Sequence, residues 1–307
     1  MKHQKKILVM MSTYNGENHL SAQIDSILDQ KTTHEICIRI RDDGSNDRTC
    51  EIIEEYINKY PFQLELLKGE NIGYNASFFE LIREANGFDY YAISDQDDVW
   101  INDKLQVACE AIDAGGAVPV LYASPSFLIH DDLVPYGITR KKEREMTMFN
   151  TIIQNICPGH NQVMNNQLIS MLKDEIDVSQ IYVYDSWITN VANLYGNILF
   201  DNNPHTYYRQ YDGNQFGADG KMIGRFLLSN RRMNYGDGKK YRGQIKYYYE
   251  KYGKESNRNK AFFDEIKNFL SAQTLAERMW YVSKSKLYRQ SRIETFAWEM
   301  AVVSGRF

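Results

Sequence analysis

The sequence predicts an α/β protein with a mostly parallel central sheet, flanking helices and a helical appendage at the C-terminal end. Three observations support this fold class. Strand-like and helix-like segments alternate over roughly residues 6–110, which is typical of a parallel sheet with right-handed crossovers. Polar clusters follow the strand-like segments. From about Tyr241 onward, apolar residues recur at helical spacing to the end of the 307-residue chain.

Four strands alternate with three amphipathic helices in the first hundred residues. The strand segments are KKILVMMSTYNG, EICIRIRDDGS, FQLELLKGENIG and DYYAISDQDD; the first ends in a turn at Asn15-Gly16. The apolar residues with helical spacing between them are Leu20, Ile24, Ile27 and Leu28, then Ile52, Ile53, Tyr56 and Ile57, then Phe78, Leu81, Ile82 and Ala85. Gly87 closes the third helix. Past Asp103 the pattern predicts a helix, and VLYASPSFLI predicts one further strand.

Polar residues stand where each of these strands ends. The clusters are Ser12-Thr13-Tyr14-Asn15, Asp42-Asp43, Asn71-Ile72-Gly73 and Asp95-Gln96-Asp97. Ligands of open α/β sheets bind beyond the carboxyl ends of the strands, so we expect the four clusters to meet at one edge. This convergence is stronger evidence for a binding site than any single motif.

The composition indicates a folded cytoplasmic protein. Hydrophobic residues make up 43% of the chain, enough for a sizeable core. The apolar stretch near the start, Ile7 to Met11, is too short for a signal peptide, and no run approaches the roughly 18 apolar residues of a membrane span. The widely spaced cysteines, Cys37, Cys50, Cys109 and Cys157, indicate reduced, buried thiols.

Three carboxylates stand within four residues at the end of the fourth strand. If the strand continues through them, Asp95 and Asp97 point the same way, because side chains alternate along a strand. Two hard oxygen ligands side by side suit Mg²⁺ or Mn²⁺, which would neutralise the cluster and recruit a diphosphate. The alternative is an acidic turn in which Asp98 caps the following helix.

The motifs MSTYNG, DDGSNDRT, NIG and DQDDVWINDKL occur in the order and at the spacing of family 2 glycosyltransferases. The chain resembles this family, whose members have the Rossmann-like GT-A fold, and is most similar to the rhamnosyltransferase-like subgroup that builds bacterial polysaccharides. CPGHNQVMNN, YVYDSWI and YYRQYDGNQFG resemble acceptor-side motifs of the family. The resemblance implies a GT-A domain at residues 1–235, divided into a nucleotide-sugar half (1–110) and an acceptor half (111–235), followed by a basic aromatic helical region (236–307).

The resemblance also implies roles for individual residues. Those expected to bind the nucleotide sugar are Ser12, Tyr14, Asp43, Asn71, Gly73, Asp95, Gln96 and Arg209, and those expected to hold the metal are Asp97 and Asp95. Tyr14 offers an aromatic face to the base, and Asp43 matches the carboxylate that accepts from a pyrimidine N3–H. Asp43 is equally explained as a turn former, and Gly73 as part of a tight turn.

Family members invert the anomeric configuration in one displacement, which requires a general base. Asp185 in YVYDSWI matches that base, and Trp187, Gly159 and His160 are expected to bind the acceptor. The residues support part of this, because an Asp among aromatic residues tends to have a raised pKa. The alternatives are a helix N-cap Asp beside a core Trp, and a hydrogen-bonded loop His.

Two positions depart from the family pattern. Tyr211 stands where relatives often carry a His that serves the metal or the diphosphate, and a phenol is a poor Mg²⁺ ligand. The ion is then expected to rely on Asp97, water and phosphate, with Arg209 meeting the diphosphate. Ser186 stands where an aromatic is more usual and reshapes the acceptor pocket.

The C-terminal region is basic, whereas the whole chain has a net charge of −4. Residues 239–307 contain 15 Lys and Arg against 7 Asp and Glu, a net charge of +8. Basic residues contribute about 1 kcal/mol each near an anionic membrane, so one hypothesis is peripheral contact with the inner face of the cell membrane. The other is a helical appendage packed on the acidic body or on a second subunit, as in a homodimer. The acidic body and the absence of a recognised binding module argue against nucleic acid.

The leading hypothesis is therefore a metal-dependent inverting glycosyltransferase that uses a dTDP- or UDP-sugar and a glycan or lipid-linked saccharide acceptor. A sugar nucleotidylyltransferase is less consistent, because the first turn lacks a Gly-rich loop with a basic residue. A non-catalytic subunit that binds nucleotide sugar or glycolipid in an assembly complex is a third hypothesis, and Tyr211 leaves room for it. A nicotinamide dehydrogenase is disfavoured, because no G-x-G-x-x-G follows the first strand.

Overall fold

The computed structural model describes residues 4–210, 235–253 and 259–307. Tyr211 lies outside the described residues, so the expectation about the third metal ligand is not addressed. The described chain divides into two compact units. The first consists of residues 4–141, 156–176 and 191–210, and the second of residues 142–155, 177–190, 235–253 and 259–307. The predicted domain boundary at residue 235 stays a prediction.

The strands all belong to the first unit. They are β1 Lys6–Thr13, β2 Glu35–Asp42, β3 Leu64–Lys68, β4 Tyr90–Ser94, β5 Val99–Trp100, β6 Val120–Ala123, β7 Phe127–Ile129, β8 Pro135–Ile138, β9 Val163–Asn165, β10 Asn197–Phe200 and β11 Thr206–Arg209. Seven form the central sheet in the order β10-β6-β9-β4-β1-β2-β3, and the others form a small sheet in the order β5-β11-β7-β8. Within the central sheet β9 runs antiparallel to both neighbours and the remaining pairs are parallel, as predicted.

The register brings the carboxyl ends of the predicted strands together. Thr13 of β1 pairs with Asp42 of β2, and Met11 of β1 pairs with Ser94 of β4. On the other side of β2, Asp42 pairs with Lys68 of β3. The loops that follow these four strands therefore leave the same edge of the sheet, which confirms the predicted convergence.

Four helices lie where the sequence predicts them: α1 Leu20–Leu28, α2 Thr49–Lys59, α3 Tyr74–Glu84 and α4 Lys104–Ala114. Three further helices were not predicted: α5 Met148–Thr151, α6 Asn166–Leu172 and α7 Tyr184–Tyr195. The core contains side chains of β1 and β4 together with Ile24, Ile27 and Leu105. Complete burial of such a side chain stabilises the fold by about 1.5–3 kcal/mol, so these contacts fix α1 and α4 against the sheet.

The segment VLYASPSFLI forms two strands rather than the single predicted one. β6 ends at Ala123 in the central sheet, and β7 begins at Phe127 in the small sheet. Pro125, which has no backbone N–H to donate to a ladder, lies between them. An apolar run alone does not reveal such a change of sheet.

The second unit is helical. Its C-terminal helices are α8 Tyr235–Tyr252, α9 Lys260–Ser271, α10 Leu275–Val282 and α11 Arg292–Val303, which confirms the predicted appendage. Their core is aromatic: Trp298 lies 6.0 Å from Phe269, and Phe269 lies 5.7 Å from Tyr281, measured between ring centroids. In the described part of the chain, no helix combines the length and apolar character needed to cross a bilayer.

Candidate functional site

The fourth strand ends immediately before its acidic cluster. β4 stops at Ser94, and Asp95 to Asp98 form a turn that leads into β5. The alternation of side chains along a strand therefore does not orient Asp95 and Asp97. Asp98 does not cap the next helix either, because α4 begins at Lys104 after Asp103.

Gln96 holds the loop that follows β1. Its side-chain Oε1 accepts from the backbone N–H of Tyr14 (2.9 Å), and its Nε2 donates to the carbonyl of Tyr14 (3.1 Å). A Cβ at Gly16 would lie 2.4 Å from Gln96 Oε1, so only glycine allows this close approach. The ring of Tyr14 stays 45% exposed, as a base-stacking role requires.

Asp42 and Asn15 connect the loop after β2 to the loop after β1. Asp42 accepts hydrogen bonds from the hydroxyls of Thr13 (2.9 Å) and Ser45 (2.5 Å), so it is the turn former of this loop. Asn15 Oδ1 accepts from the backbone N–H of Asn46 (2.9 Å). These bonds fix the loops of β1 and β2 to each other.

Asp43 organises the loop after β3. Its two oxygens accept from the backbone N–H groups of Ile72 and Gly73, both at 2.9 Å, and Oδ1 also accepts from Arg41 at 2.6 Å. A carboxylate offers about four acceptor positions, so it retains capacity for a base N–H although Asp43 is 3% exposed. Gly73 has φ +85°, which favours glycine.

Asn71 lies in the loop after β3, and Ser12 lies near the end of β1. The backbone nitrogen of Asn71 is the nearest atom, at 3.1 Å, to a Cβ built on Gly44. Ser12 Oγ shares a hydrogen bond of 2.6 Å with Ser77 Oγ at the start of α3. The expected nucleotide-sugar residues of β1, β2 and β3 are thus brought together, while their contacts with a ligand stay a prediction.

Two aspartates of the acidic turn face one histidine. His160 Nδ1 lies 3.6 Å from Asp95 Oδ2 and 3.9 Å from Asp98 Oδ2, and His160 Nε2 is 2.8 Å from Ser126 Oγ. Asp98 is completely buried, and its Oδ2 has no hydrogen-bond partner among the described residues. Burial raises the pKa of Asp98 well above its ordinary value, and the charges of Asp97 and Asp95 raise it further.

His160 is a buried, hydrogen-bonded residue, as the alternative to acceptor binding predicts. It belongs to the short 3₁₀ segment Gly159–Asn161, is 4% exposed and stacks on Tyr208 at 4.5 Å between centroids. The role of Gly159 and His160 in acceptor binding stays a prediction.

Sequence reasoning missed Lys104, which is 1% exposed. Its Nζ donates to the carbonyl of His160 (2.6 Å), to Asn161 Oδ1 (3.2 Å) and to Thr206 Oγ1 (2.9 Å). It also lies 3.9 Å from the ring centroid of Trp100. Burial lowers the pKa of Lys104. The sequence feature that could have pointed to Lys104 is a lysine at the first position of an apolar helix. A lysine at that position is usually exposed, so the feature gave no reason to expect a buried one.

Arg209 of β11 holds the acidic turn from the other side. Its Nε donates to the carbonyl of Asp97 (3.0 Å), and its backbone N–H donates to Asp98 Oδ1 (3.2 Å). Its guanidinium also pairs with Asp131 at 3.1 Å, and His19 Nε2 lies 3.9 Å from the same carboxylate. Asp131 and His19 are further residues that periodicity did not single out.

Asp185 and Trp187 lie in the second unit. Asp185 is half-buried in the first turn of α7, and its carbonyl accepts from Thr189 Oγ1 at 2.8 Å. Trp187 is 1% exposed and stacks on Tyr247 at 5.4 Å, the placement of a core tryptophan. Ser186 Oγ shares a hydrogen bond of 2.6 Å with the hydroxyl of Tyr241. The predicted roles of Asp185 and Trp187 stay predictions.

A comparison with family profiles decides the classification. The profile described as Glycosyl transferase family 2 matches residues 8–173, more than half of the chain. The chain belongs to glycosyl transferase family 2. The matched range includes β1 to β4 and the whole acidic turn, so this glycosyltransferase has its family motifs at the edge of the sheet described above.

Curated relatives of this glycosyltransferase include a rhamnosyl transferase. It is 29% identical to the dTDP-rhamnosyl transferase RfbG of Shigella flexneri over 223 residues, which cover 68% of this chain and 74% of the relative. It is also 34% identical to the cholesterol galactosyltransferase of Borreliella burgdorferi over 105 residues, 34% of this chain and 28% of that relative.

Solved structures support the GT-A fold. Residues 1–349 of S. aureus TarS, in complex with UDP-GlcNAc, superpose with a TM-score of 0.60 at 17% identity; the match covers 92% of this chain and 76% of that fragment. The mannosyltransferase PcManGT of Pyrobaculum calidifontis, in complex with GDP-Man and Mn²⁺, gives 0.58 at 14% identity and covers 99% and 86% of the two chains.

The acidic turn of this glycosyltransferase has the donor atoms for a divalent cation. Within the described residues, ligand atoms of Asp95, Asp98 and His160 lie within 4.8 Å of one another. The carboxylate oxygens suit Mn²⁺ and Mg²⁺, whereas the imidazole is a poor Mg²⁺ ligand, and the unpartnered Asp98 Oδ2 is a buried atom that a cation would satisfy. The residues therefore fit a metal, although Asp97 is not part of this group.

Proposed function

We propose that this glycosyltransferase is a metal-dependent, inverting hexosyltransferase of cell-surface polysaccharide synthesis. It moves rhamnose or another hexose from a dTDP- or UDP-sugar to a glycan or lipid-linked saccharide acceptor. It works at the inner face of the cell membrane. The 29% identity with a dTDP-rhamnosyl transferase supports this donor class.

One observation carries the proposal: the loops after β1, β2, β3 and β4 leave one edge of the sheet and are hydrogen-bonded to one another. Gln96 connects the acidic turn to Tyr14, and Asp43 connects the second loop to Gly73. Such an edge is where open α/β sheets bind nucleotides. The acidic turn at the same edge is suited to a diphosphate held through a cation.

On the donor side, the base stacks on the exposed ring of Tyr14 and its N3–H is accepted by Asp43. Both dTDP and UDP present this N–H, so the proposal includes both nucleotides. Ser12, Asn71 and Gly73 contribute to the pocket wall, and Asp95 contacts the ribose or the donor sugar.

The diphosphate end combines the acidic turn with Arg209. Mn²⁺ or Mg²⁺, when bound by Asp97 and Asp95 or by the Asp95, Asp98 and His160 group, stabilises the charge that develops on the departing diphosphate. Arg209 keeps the turn in place through the carbonyl of Asp97 and adds a positive charge. The Arg209 guanidinium already donates to Asp131, so the main role of Arg209 is to orient the acidic turn.

On the acceptor side, Asp185 removes the proton of the attacking hydroxyl. A sugar hydroxyl is a poor nucleophile until a base accepts its proton, and such catalysis contributes about 10²–10⁴-fold to the rate. The charge of Asp185 acts on the hydroxyl of Tyr241, whose pKa is raised to about 12 chiefly by burial. Inversion follows when the activated hydroxyl attacks the donor sugar from the face opposite the leaving diphosphate.

A thermal-shift screen tests the proposal. The full chain is heated with a panel of nucleoside diphosphate sugars, each with Mn²⁺, with Mg²⁺ and with EDTA. We expect the largest metal-dependent stabilisation from a dTDP- or UDP-sugar, because a ligand at 100 times its Kd stabilises the native state by about 2.7 kcal/mol. Transfer from that donor to saccharide acceptors is then measured.

Two results would contradict the proposal in different ways. Donor binding without hydrolysis or transfer over a broad acceptor panel would indicate a non-catalytic binding subunit. Release of pyrophosphate from a nucleoside triphosphate and a sugar phosphate would indicate a nucleotidylyltransferase. Asp174→Asn, an exposed aspartate outside the proposed machinery, serves as the matched control for all carboxylate variants.

A further inference from the structure

Helices α10 and α11 of the second unit expose large apolar side chains. In α11, Ile293, Phe296 and Met300 stand three and four residues apart on one side of the helix and are 60%, 60% and 43% exposed. In α10, which packs beside α11, three more are exposed: Leu275, Met279 and Trp280. We call these six residues the apolar face.

The apolar face is not a loosely packed core. The opposite sides of the same helices carry Tyr281 and Trp298, which are 3% and 0% exposed and pack around Phe269. The capping box of Thr274 and Glu277 fixes the start of α10. The exposed side chains therefore belong to helices whose other sides are well packed, and large exposed apolar patches mark interaction surfaces.

Cations accompany the apolar face. Lys284 Nζ lies 4.6 Å from the ring centroid of Trp280, and Arg292 directly precedes Ile293; both are exposed. Residues 275–306 contain six basic and three acidic side chains. Of the acids, Glu277 is used in the capping box, Glu294 is buried and Glu299 is half-buried.

We propose that the apolar face docks on an anionic membrane surface, with the six apolar side chains in the headgroup region and Lys284 and Arg292 on lipid phosphates. An amphipathic helix with aromatic and aliphatic residues on one face and flanking cations is suited to the interface plane. This deepens the membrane contact of the proposed function by naming its residues, and its test needs neither donor nor acceptor.

The same charges argue against a second copy of the chain as the occupant. In a twofold dimer the same patch meets itself, so two positively charged faces would be brought together. Like charges at close range oppose such a contact, whereas an anionic bilayer complements it. A dimer through this face is therefore an outcome that the test must detect.

Tryptophan fluorescence gives a direct readout. Three of the four tryptophans, Trp100, Trp187 and Trp298, are at most 3% exposed, whereas Trp280 is 59% exposed. We expect vesicles of equal parts phosphatidylglycerol and phosphatidylcholine to shift the emission to the blue and to sediment the full chain. Pure phosphatidylcholine vesicles, or 0.5 M NaCl with the mixed vesicles, should weaken binding, because salt screens the charge attraction.

Surface variants identify the face. Ile293→Ser with Phe296→Ser should weaken sedimentation with mixed vesicles at least tenfold, and so should Lys284→Glu with Arg292→Glu. The matched controls are Phe62→Ser, a 93% exposed side chain of the first unit, and Lys31→Glu with Lys59→Glu. All four residues of the test variants are exposed, so folding should be unchanged by circular dichroism.

Three outcomes would overturn this inference. One is equal vesicle binding by test and control variants, and another is no vesicle binding by the wild-type chain. The third is a wild-type dimer in sedimentation velocity that the Ile293→Ser, Phe296→Ser variant dissociates, without any vesicle binding. In each case a retained metal-dependent donor shift would leave the proposed glycosyl transfer standing, so the two failures are distinguishable.

Discussion

Asp98 Oδ2 lies 3.9 Å from His160 Nδ1, and the two side chains are 0% and 5% exposed. The Asp95 carboxylate, 3.6 Å from the same nitrogen, is 36% exposed. The acidic turn thus has a buried layer, formed by Asp98 and His160, and a solvent-facing layer that includes Asp95 and the half-buried Asp97. Which layer supplies the ligands of a cation is open to direct measurement.

The first prediction concerns these ligands. Titration with Mn²⁺ alone should raise the Tm of the wild-type chain, and Asp97→Asn should remove that rise while Asp98→Asn retains it. The reason is that an ion shared with a diphosphate needs ligands that reach solvent, which Asp97 can provide and the fully buried Asp98 cannot. Differential scanning fluorimetry measures both shifts.

Asp95→Asn is the positive control for this experiment, because Asp95 belongs to both candidate ligand sets. The opposite pattern, with the Mn²⁺ shift lost in Asp98→Asn and kept in Asp97→Asn, would assign the ion to Asp95, Asp98 and His160. The EDTA-treated proteins provide the baseline Tm of each variant.

The second prediction concerns the general base. Asp185→Asn should lower kcat for transfer by about 10²–10⁴-fold, because the amide cannot accept the acceptor proton. The Tm shift produced by donor and metal should stay at the wild-type value, since the base does not hold the donor. Asp174→Asn should transfer sugar normally. Wild-type turnover by Asp185→Asn would remove Asp185 from the mechanism.

The third prediction concerns Lys104. Lys104→Met leaves the buried carbonyl of His160 without its side-chain donor, whereas Asn161 Oδ1 and Thr206 Oγ1 keep the hydrogen bond of 2.6 Å between them. An unsatisfied buried group costs about 1–3 kcal/mol, so we expect the free energy of unfolding to fall by about 1–3 kcal/mol. Urea denaturation measures it, and exposed Lys31→Met should change it by less than about 0.5 kcal/mol. Equal stability of the two variants would show that this network does not support the fold.

The fourth prediction concerns Gly16 and Gln96. Gly16→Ala places a methyl group 2.4 Å from the present position of Gln96 Oε1, so the Gln96 amide must leave the backbone of Tyr14. We expect the KM for the donor to rise severalfold in Gly16→Ala and in Gln96→Ala. Because both changes remove the same contact, the double variant should be no worse than the poorer single one. Fully additive effects would contradict this coupling.

Local patterns were sufficient for the fold class and for the edge of the sheet at which the four polar clusters meet. Apolar periodicity located strands β1 to β4 and their helices, and parallel topology then required the following loops to share an edge, which Thr13 opposite Asp42 and Met11 opposite Ser94 confirm. The reason is that strand and helix periods are properties of neighbouring residues, and crossover handedness is nearly invariant.

Contacts between residues distant in the sequence are revealed only by the folded structure. Lys104 meets His160 and Thr206 across 56 and 102 positions, and Arg209 meets Asp97 across 112, so no local pattern marks them. Because β4 ends at Ser94, strand alternation does not orient Asp95 and Asp97, and the carboxylates near His160 are those of Asp95 and Asp98. Sequence periodicity reports which side of an element is buried, whereas the partner of a buried polar group is decided by the three-dimensional packing of separate elements.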